Sequence, residues 1–491
     1  MNYNEFCEYA KTYNLIPVYK IITADMLTPV LAYLKVRDKQ STAFLLESVE
    51  GNVNMARFSF IGKDPELIIK NKKNDIIIEN KNKKEETSGN IFDVITKELN
   101  KYKQPKIEEL PAFSGGLCGF IGYENIQQIE PTVITKNKGI ENYDSILGLF
   151  KTLIAFDHYK HQVILISNVT IKDETNLNNA YQDALDNISN LSSLLNNTIS
   201  YKSDFSLLSE TECNTEDKEF FEMVEKSKYH IIEGDIFQIV LSKRYFAQYK
   251  GDTFNVYRAL RIINPSPYMY YFEYPDGLSI MGTSPENLVK IYDRNVQLLP
   301  IAGTRRRGKT KEEDIMLEEN LINDKKELAE HTMLVDLGRN DLGRVCKYGT
   351  IEVVEQMKIQ RYSHVMHIVS KVEGELTEDK HIVDALKSCF PAGTVTGAPK
   401  IKAMQLIEQF ERTERNIYAG AVGYFDFKGN MDMCIAIRTL FAKDNTIYWQ
   451  SGAGIVADSK PELESKEINN KAAVMIKALK FAEVIDENFS N

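Results

Sequence analysis

Cysteine is scarce in this chain: six among 491 residues, at Cys7, Cys118, Cys213, Cys346, Cys389 and Cys434, with no Cys-x-x-Cys pair. That spread excludes a cysteine zinc site and a disulfide-stapled scaffold, and it fits reduced structural thiols in a cytoplasmic protein. Apolar runs such as Val163–Ile166 are far shorter than the ~20 residues a membrane helix needs, and the opening MNYNEFCEYAKTYNLIPVYK lacks the apolar core of a secretory signal. No membrane association is expected. Positive charge is in deficit, 60 Lys and Arg against 70 Asp and Glu, a net −10, which argues against general affinity for nucleic acid. An anionic substrate would therefore need a local cation, either an arginine or a metal. Walker A, Rossmann and serine-hydrolase motifs are missing. So is a glutaminase elbow, for which Gly116-Leu117-Cys118-Gly119 is the nearest stretch.

What is present reads as a soluble α+β protein, with 43% apolar and 26% charged residues. Strand-like runs occur at Thr42–Leu46, Ile76–Glu79 and Val163–Ile166, and residues 71–90 read as a hairpin with a charged tip. Helical spacing of Leu177, Ala180, Leu185, Ile188, Leu191 and Leu194 predicts an amphipathic helix within 174–198. The aperiodic, polar stretch 201–217 is the expected linker between a region 1–200 and a domain 218–475, with 476–491 as a tail. Thr215 is the expected N-cap of a helix bearing Phe220, Val224, Ser227 and Ile231, stopped by Gly234 and followed by a strand, Ile236–Leu241. Residues 418–456 read as a three-strand meander whose first turn is Lys428-Gly429-Asn430.

Two helices each carry a Glu-x-x-Glu pair: Glu327 and Glu330, and Glu464 and Glu467 after Pro461. Carboxylates at i and i+3 share a face, so two such helices meeting could offer hard oxygen donors to Mg²⁺. A solvated helix face is the plainer reading, and lysines near Glu464 suit it; His331 beside Glu330 and the glycine-rich GAGIV before the second pair lean the other way. The loop FPAGTVTGAPK enters a helix near Pro399 and could receive an anion on its N–H groups or be a structural turn. His367, in a strand-like segment, is a packed side chain or a proton carrier. Arg438, within the apolar strand CIAIRTL, needs a carboxylate partner, internal or bound.

The collinear blocks LLES (45–48), NPSPYMYYF (264–272), TSPENLV (283–289), PIAGTR (300–305), AEHTMLVDLGRND (329–341), SHVMH (363–367), PAGTVTGAPK (391–400), YAGAVGY (418–424), IRT (437–439) and GAGIVADSKPELESKE (452–467) resemble anthranilate synthase component I, a chorismate-utilising enzyme family. The resemblance implies two large, mostly antiparallel β-sheets packed face to face with helices outside. It implies that chorismate and ammonia, the latter from a separate glutaminase subunit, give anthranilate and pyruvate, and a heterotetramer of two large and two small subunits.

By the same resemblance, Glu330 and Glu467 are direct Mg²⁺ ligands, with Glu327 and Glu464 acting directly or through water. Arg438, Tyr418 and backbone at Gly452, Ala453 and Gly454 hold the enolpyruvyl carboxylate, and Thr304 and Thr394 position the ring. Glu286 resembles the general acid for the departing C4 hydroxyl, which requires a raised pKa, and His367 the assisting histidine. Water-adding relatives carry lysine where this chain has Gln238, and the relative that forms 4-amino-4-deoxychorismate carries lysine where it has Ala302, so ammonia is expected to attack C2 directly. Glu47, Ser48, Pro267, Tyr268 and Met269 resemble a tryptophan feedback site. Arg306 replaces a usual proline and Gly338 a common alanine. The rivals are aminodeoxychorismate synthase component I and a catalytically silent, tryptophan-binding regulator.

Overall fold

The computed structural model describes residues 1–48, 57–135, 139–202, 204–362 and 365–486; Ser363 and His364 of the SHVMH block and the end of the expected tail lie outside them. Among these residues the chain forms a 13-stranded and a 12-stranded sheet whose ladders are antiparallel. Strands of both halves of the chain share each sheet. In the larger sheet Ala43–Glu47 pairs with Tyr268–Glu273, and in the smaller Gly116–Ile121 pairs with Ala421–Asp426.

Burial follows from these pairings. Phe44, Phe60, Tyr270 and Phe272 of the larger sheet and Cys118, Phe120, Val422 and Cys434 of the smaller form one apolar layer between the sheets. The outer faces are covered by helices, with Leu45, Tyr257, Met269 and Ile468 on one side and Leu117, Val335, Leu386 and Met433 on the other. This is the expected α+β sandwich. Cys118, from the nearest approach to a glutaminase elbow, is buried with its thiol pKa pushed up by desolvation, so it is a packing residue.

Local expectations fare unevenly. The amphipathic helix is Leu177–Asn196 and the charged hairpin is Asp75–Glu79 with Lys84–Ser88. The helix expected after 201–217 is Asp217–Ile232, but its N-cap is Glu216, not Thr215, whose hydroxyl donates to Asn214 at 3.0 Å. Residues 418–456 are not one meander. They form Ala421–Asp426 with Met431–Ile435 in the smaller sheet, then Thr439–Lys443 with Thr446–Ile455 in the larger. Arg438 is accordingly not inside a strand; it sits at φ 48 where the chain leaves one sheet for the other.

Candidate active site

A second crossing lies beside the first. Ser279–Ser284 belongs to the larger sheet and Asn287–Tyr292 to the smaller, so Glu286 also stands between sheets. The two crossings are bonded together: Ile435 N–H donates to Glu286 O at 3.0 Å, Thr283 N–H to Arg438 O at 3.1 Å, and Ser284 Oγ to Ile435 O at 2.7 Å. Two charged side chains are thereby fixed where the sandwich opens. Burial pushes the Glu286 carboxyl up to about 7, against the opposing pull of Thr394, Arg438 and Lys471. The Thr394 hydroxyl stands beside it without closing a well-aligned hydrogen bond. Arg438 is open to solvent along the cleft yet densely walled by protein; this desolvation lowers its pKa, and Glu286 opposes the shift. Its Nη1 reaches Asn264 Oδ1 at 3.5 Å.

Across the cleft, Ile301–Arg306 pairs with Val365–Glu375, with a register shift between Ala302 and Thr304 that brings Thr304 opposite His367. Gly303, at φ 65, supplies the left-handed turn this bulge requires. His367 Nδ1 lies 2.9 Å from Gly303 O and 3.1 Å from Thr304 Oγ1. A carbonyl accepts, so Nδ1 carries the proton and Nε2 keeps its lone pair. Burial lowers the imidazole pKa, and Arg438 is near enough to lower it further. Ala302 is buried opposite Ile368.

The Glu-x-x-Glu pairs lie on Lys325–Gly343 and Pro461–Glu483. Asp324 caps the first helix by accepting from Lys326 and Glu327 N–H, and Pro461 opens the second. The two faces meet. Glu330 is raised by burial and then by Glu327 and Glu467, with the nearby Gln238 amide opposing; Glu464 is raised by burial and by Glu467. Cationic side chains offset this crowding: Arg305 is 3.0 Å from Glu327, and Lys471 is 2.8 Å from Glu467. Carboxylates are the hard oxygen donors a dication takes, but here Glu327 and Glu467 are engaged by these cations instead. Among the described residues, no three Asp, Glu, His or Cys side chains converge enough to hold an ion.

The cleft floor is the Thr446–Ile455 strand, whose glycines admit their neighbours. A Cβ at Gly452 would fall 2.5 Å from Tyr418 Oη, and one at Gly454 2.4 Å from Gln238 Nε2. Ala453 is buried opposite Leu241. Lys471 was not singled out in the sequence, although it belongs here: its Nζ donates to Gly452 O at 3.0 Å, and its charge reaches Glu286 and Glu464. The signal was its spacing, four residues after Glu467 on the same face, which a surface ion pair shares.

The arginines of PIAGTRRRGK are spent locally. Arg305 pairs with Asp324 and Glu327, Arg306 with Glu313, and Arg307 with Asp314, whose pKa Arg307 helps pull down to about 2. Gly338 leaves room for Leu298, whose Cδ1 would lie 3.3 Å from an added Cβ. At the other candidate site, Met269 pairs with Glu47, and buried Glu47 accepts from Tyr257 Oη and from Arg261 Nε at 3.1 Å. Among the described residues the buried Ser48 Oγ has no hydrogen-bond partner, and Pro267 is buried at the head of the paired strand. The Tyr268 phenol is engaged elsewhere, with Asp432 at 3.0 Å and Asn287 at 2.9 Å.

Residues 41–477 match the chorismate binding enzyme family. A protein of Acetivibrio thermocellus named anthranilate synthase component 1 is 44% identical over 485 residues, covering 96% of this chain and 97% of its own. One of the same name from Aquifex aeolicus is 41% identical over 498 residues, covering 99% of each. The solved anthranilate synthase component I of Streptococcus pneumoniae TIGR4 superposes with a TM-score of 0.78 at 34% identity, over 93% of this chain and 99% of its own. The chain belongs to the chorismate-binding enzyme family, and within it to the anthranilate synthase component 1 proteins. Among the described residues no helix is long and apolar enough to cross a membrane.

Proposed function

We propose that this chain binds chorismate in the cleft between the sheet crossings and converts it with ammonia to anthranilate and pyruvate. The observation that carries the reading is Glu286, a carboxyl held up to about 7 beside the Arg438 charge. Ammonia adds at C2 and its nitrogen releases a proton, the ring double bonds shift, and the C4–O bond breaks as Glu286 gives its proton, so that water leaves. C2 then loses its proton as the C3–O bond breaks, the ring becomes aromatic, and the enolpyruvate takes up a proton to become pyruvate. His367, neutral and with its proton on Nδ1, suits a proton transfer through Nε2 in this sequence.

Arg438 and Tyr418, with backbone at Gly452, Ala453 and Gly454, would hold the enolpyruvyl carboxylate, and Lys471 adds positive charge beside Gly452. Thr304 and Thr394 would orient the ring. Glu330 and Glu467, supported by Glu327 and Glu464, would hold Mg²⁺, which when bound supplies a positive counter-charge for the ring carboxylate. Gln238 and Ala302 offer no basic side chain, which favours direct attack by ammonia at C2. Tryptophan would bind against Glu47, Ser48, Pro267, Met269 and the Tyr268 backbone as a feedback inhibitor. A glutaminase partner would supply ammonia in the cytoplasm, two of each subunit forming the assembly.

The test is purified chain with chorismate, MgCl₂ and an ammonium salt, followed by anthranilate fluorescence and pyruvate release. Anthranilate is expected, and glutamine should replace ammonium only when a glutaminase subunit is added. A para-amino product, or turnover on glutamine by the chain alone, overturns the reading.

A further inference from the structure

Beneath Tyr418, Arg415 is 1% exposed and its guanidinium makes four hydrogen bonds. Nε and Nη2 donate to Glu411 Oε2 and Oε1 at 2.9 and 2.6 Å, Nη1 to Val395 O at 2.7 Å, and Nη2 also to Val240 O at 2.8 Å. The charge lies 5.4 Å from the ring centre of Tyr418 and 5.0 Å from that of Tyr123. Glu411 Oε1 in turn accepts from Ser242 N–H at 2.9 Å and Ser242 Oγ at 2.7 Å, and Ser242 pairs with Gly452. Glu124 Oε1 pins the backbone from below, accepting from Arg415 and Asn416 N–H at 2.8 and 3.2 Å.

Each partner adjoins a group that faces the cleft. Val395 follows Thr394, Ser242 lies opposite Gly452, and Tyr418 reaches Gly452 with its hydroxyl. A buried ion pair gives little net stability over apolar side chains of the same volume, so what this one supplies is geometry. Only a planar, forked cation can bridge a carboxylate and two carbonyls while stacking on rings. Its charge over the Tyr418 ring also draws electron density from the phenol, making the hydroxyl a stronger donor to an anion.

We propose that Arg415, clamped by Glu411, is a positioning residue that locks Tyr418, the Thr394–Val395 turn and the Gly452 strand into one carboxylate-receiving unit. The inference rests on the chorismate reading given above. Arg37 provides a matched control elsewhere in the molecule: it is equally stacked, 5.0 Å from Phe254 and 5.6 Å from Tyr201, and it is bonded to buried Asp252. Arg415→Lys should raise KM for chorismate by about tenfold or more with kcat changed by less than about threefold. Arg37→Lys, at a comparable loss of Tm, should leave KM at the wild-type value.

Should Arg415→Lys fail to fold, Glu411→Gln keeps the volume and an oxygen for Ser242 while weakening the clamp, and should raise KM by about threefold. A KM that stays at wild type in the Arg415→Lys or Glu411→Gln protein, or one that rises equally in Arg37→Lys, overturns the inference. Wild-type turnover reports separately on the chorismate reading: without it both fall, and with it the KM ratios alone decide.

Discussion

Arg415 is buried and Arg438 is open to solvent along the cleft, and their surroundings are opposite in kind. Arg415 finds two carboxylate oxygens and two carbonyls inside the fold. Arg438 makes a long contact with Asn264 and, among the described residues, no ion pair within 4.0 Å. Their acidic neighbours differ likewise: Glu411 is locked to Arg415, whereas Glu286 keeps its proton to about 7. Desolvating a charge is costly unless a partner repays it. Arg415 is repaid within the chain, whereas Arg438 keeps a charge that no carboxylate among the described residues pairs within 4.0 Å.

The sharpest way to break this contrast is Glu286→Gln. If Glu286 is the acid, kcat falls by ~100- to 10,000-fold while the fold is kept, because an uncompensated carboxyl has been removed. The sign of the pH dependence follows from the raised pKa. Glu286 donates only while protonated, so wild-type kcat/KM should decline as pH rises through about 7. The residual activity of the variant should lack that decline; a decline that persists in it assigns the proton to another group.

Next in size is the contrast between the arginines themselves. Arg438→Met should cost ~2–5 kcal/mol of transition-state binding for chorismate, read as kcat/KM, with Tm unchanged or higher. Arg415→Met should instead lose ~3–5 kcal/mol of stability, because Glu411 is left buried and unpaired. Denaturant unfolding of both proteins checks this, and equal stability losses would dissolve the distinction between them.

That distinction also explains what was legible in the sequence. Arg438 stood out because a charge among Cys434, Ile435, Ala436 and Ile437 demands a partner, and the Glu-x-x-Glu spacing marked one face on each of two helices. The sheet crossings were not legible. Alternating strands look alike whether they continue one sheet or pass to the other, so 418–456 read as one meander and Arg438 as a strand residue. Lys471 was hidden for a related reason, since an i, i+4 partner of Glu467 has the same spacing whether it faces solvent or a cleft. Arg415 stayed silent because its carbonyl partners, Val240 and Val395, carry no side-chain signature and lie far away in sequence. Resemblance supplied the residue roles that spacing left open, whereas the register that sets Thr304 opposite His367 came from the folded chain.

A smaller effect tests the crowded carboxylates without catalysis. Mg²⁺ at a hundred times its Kd should stabilise the folded chain by ~2.7 kcal/mol through mass action, seen as a rise in Tm. Glu330→Gln should abolish that rise, whereas Glu313→Gln, next to Arg306 and outside the cleft, should keep it. A Tm that Mg²⁺ does not move removes the cation from the proposed site.

The smallest effect on catalysis is expected at Glu47, whose surroundings resemble those of Arg415 more than those of Arg438. Its carboxylate is already met by Tyr257 and Arg261, yet among the described residues the neighbouring buried Ser48 hydroxyl has no partner, and a buried hydroxyl left unpaired costs ~1–3 kcal/mol. A complete ion pair beside an incomplete hydroxyl fits a site that is stable when empty and gains a hydrogen bond when filled. Glu47→Gln should therefore leave kcat and KM within about twofold of wild type without tryptophan, because the pair lies on the outer, helix-covered face of the larger sheet. Tryptophan should then inhibit the variant at least about tenfold more weakly, the scale of losing one charge-assisted hydrogen bond. Unchanged inhibition with a lowered Tm would make Glu47 a packing residue, and tryptophan would have to act elsewhere.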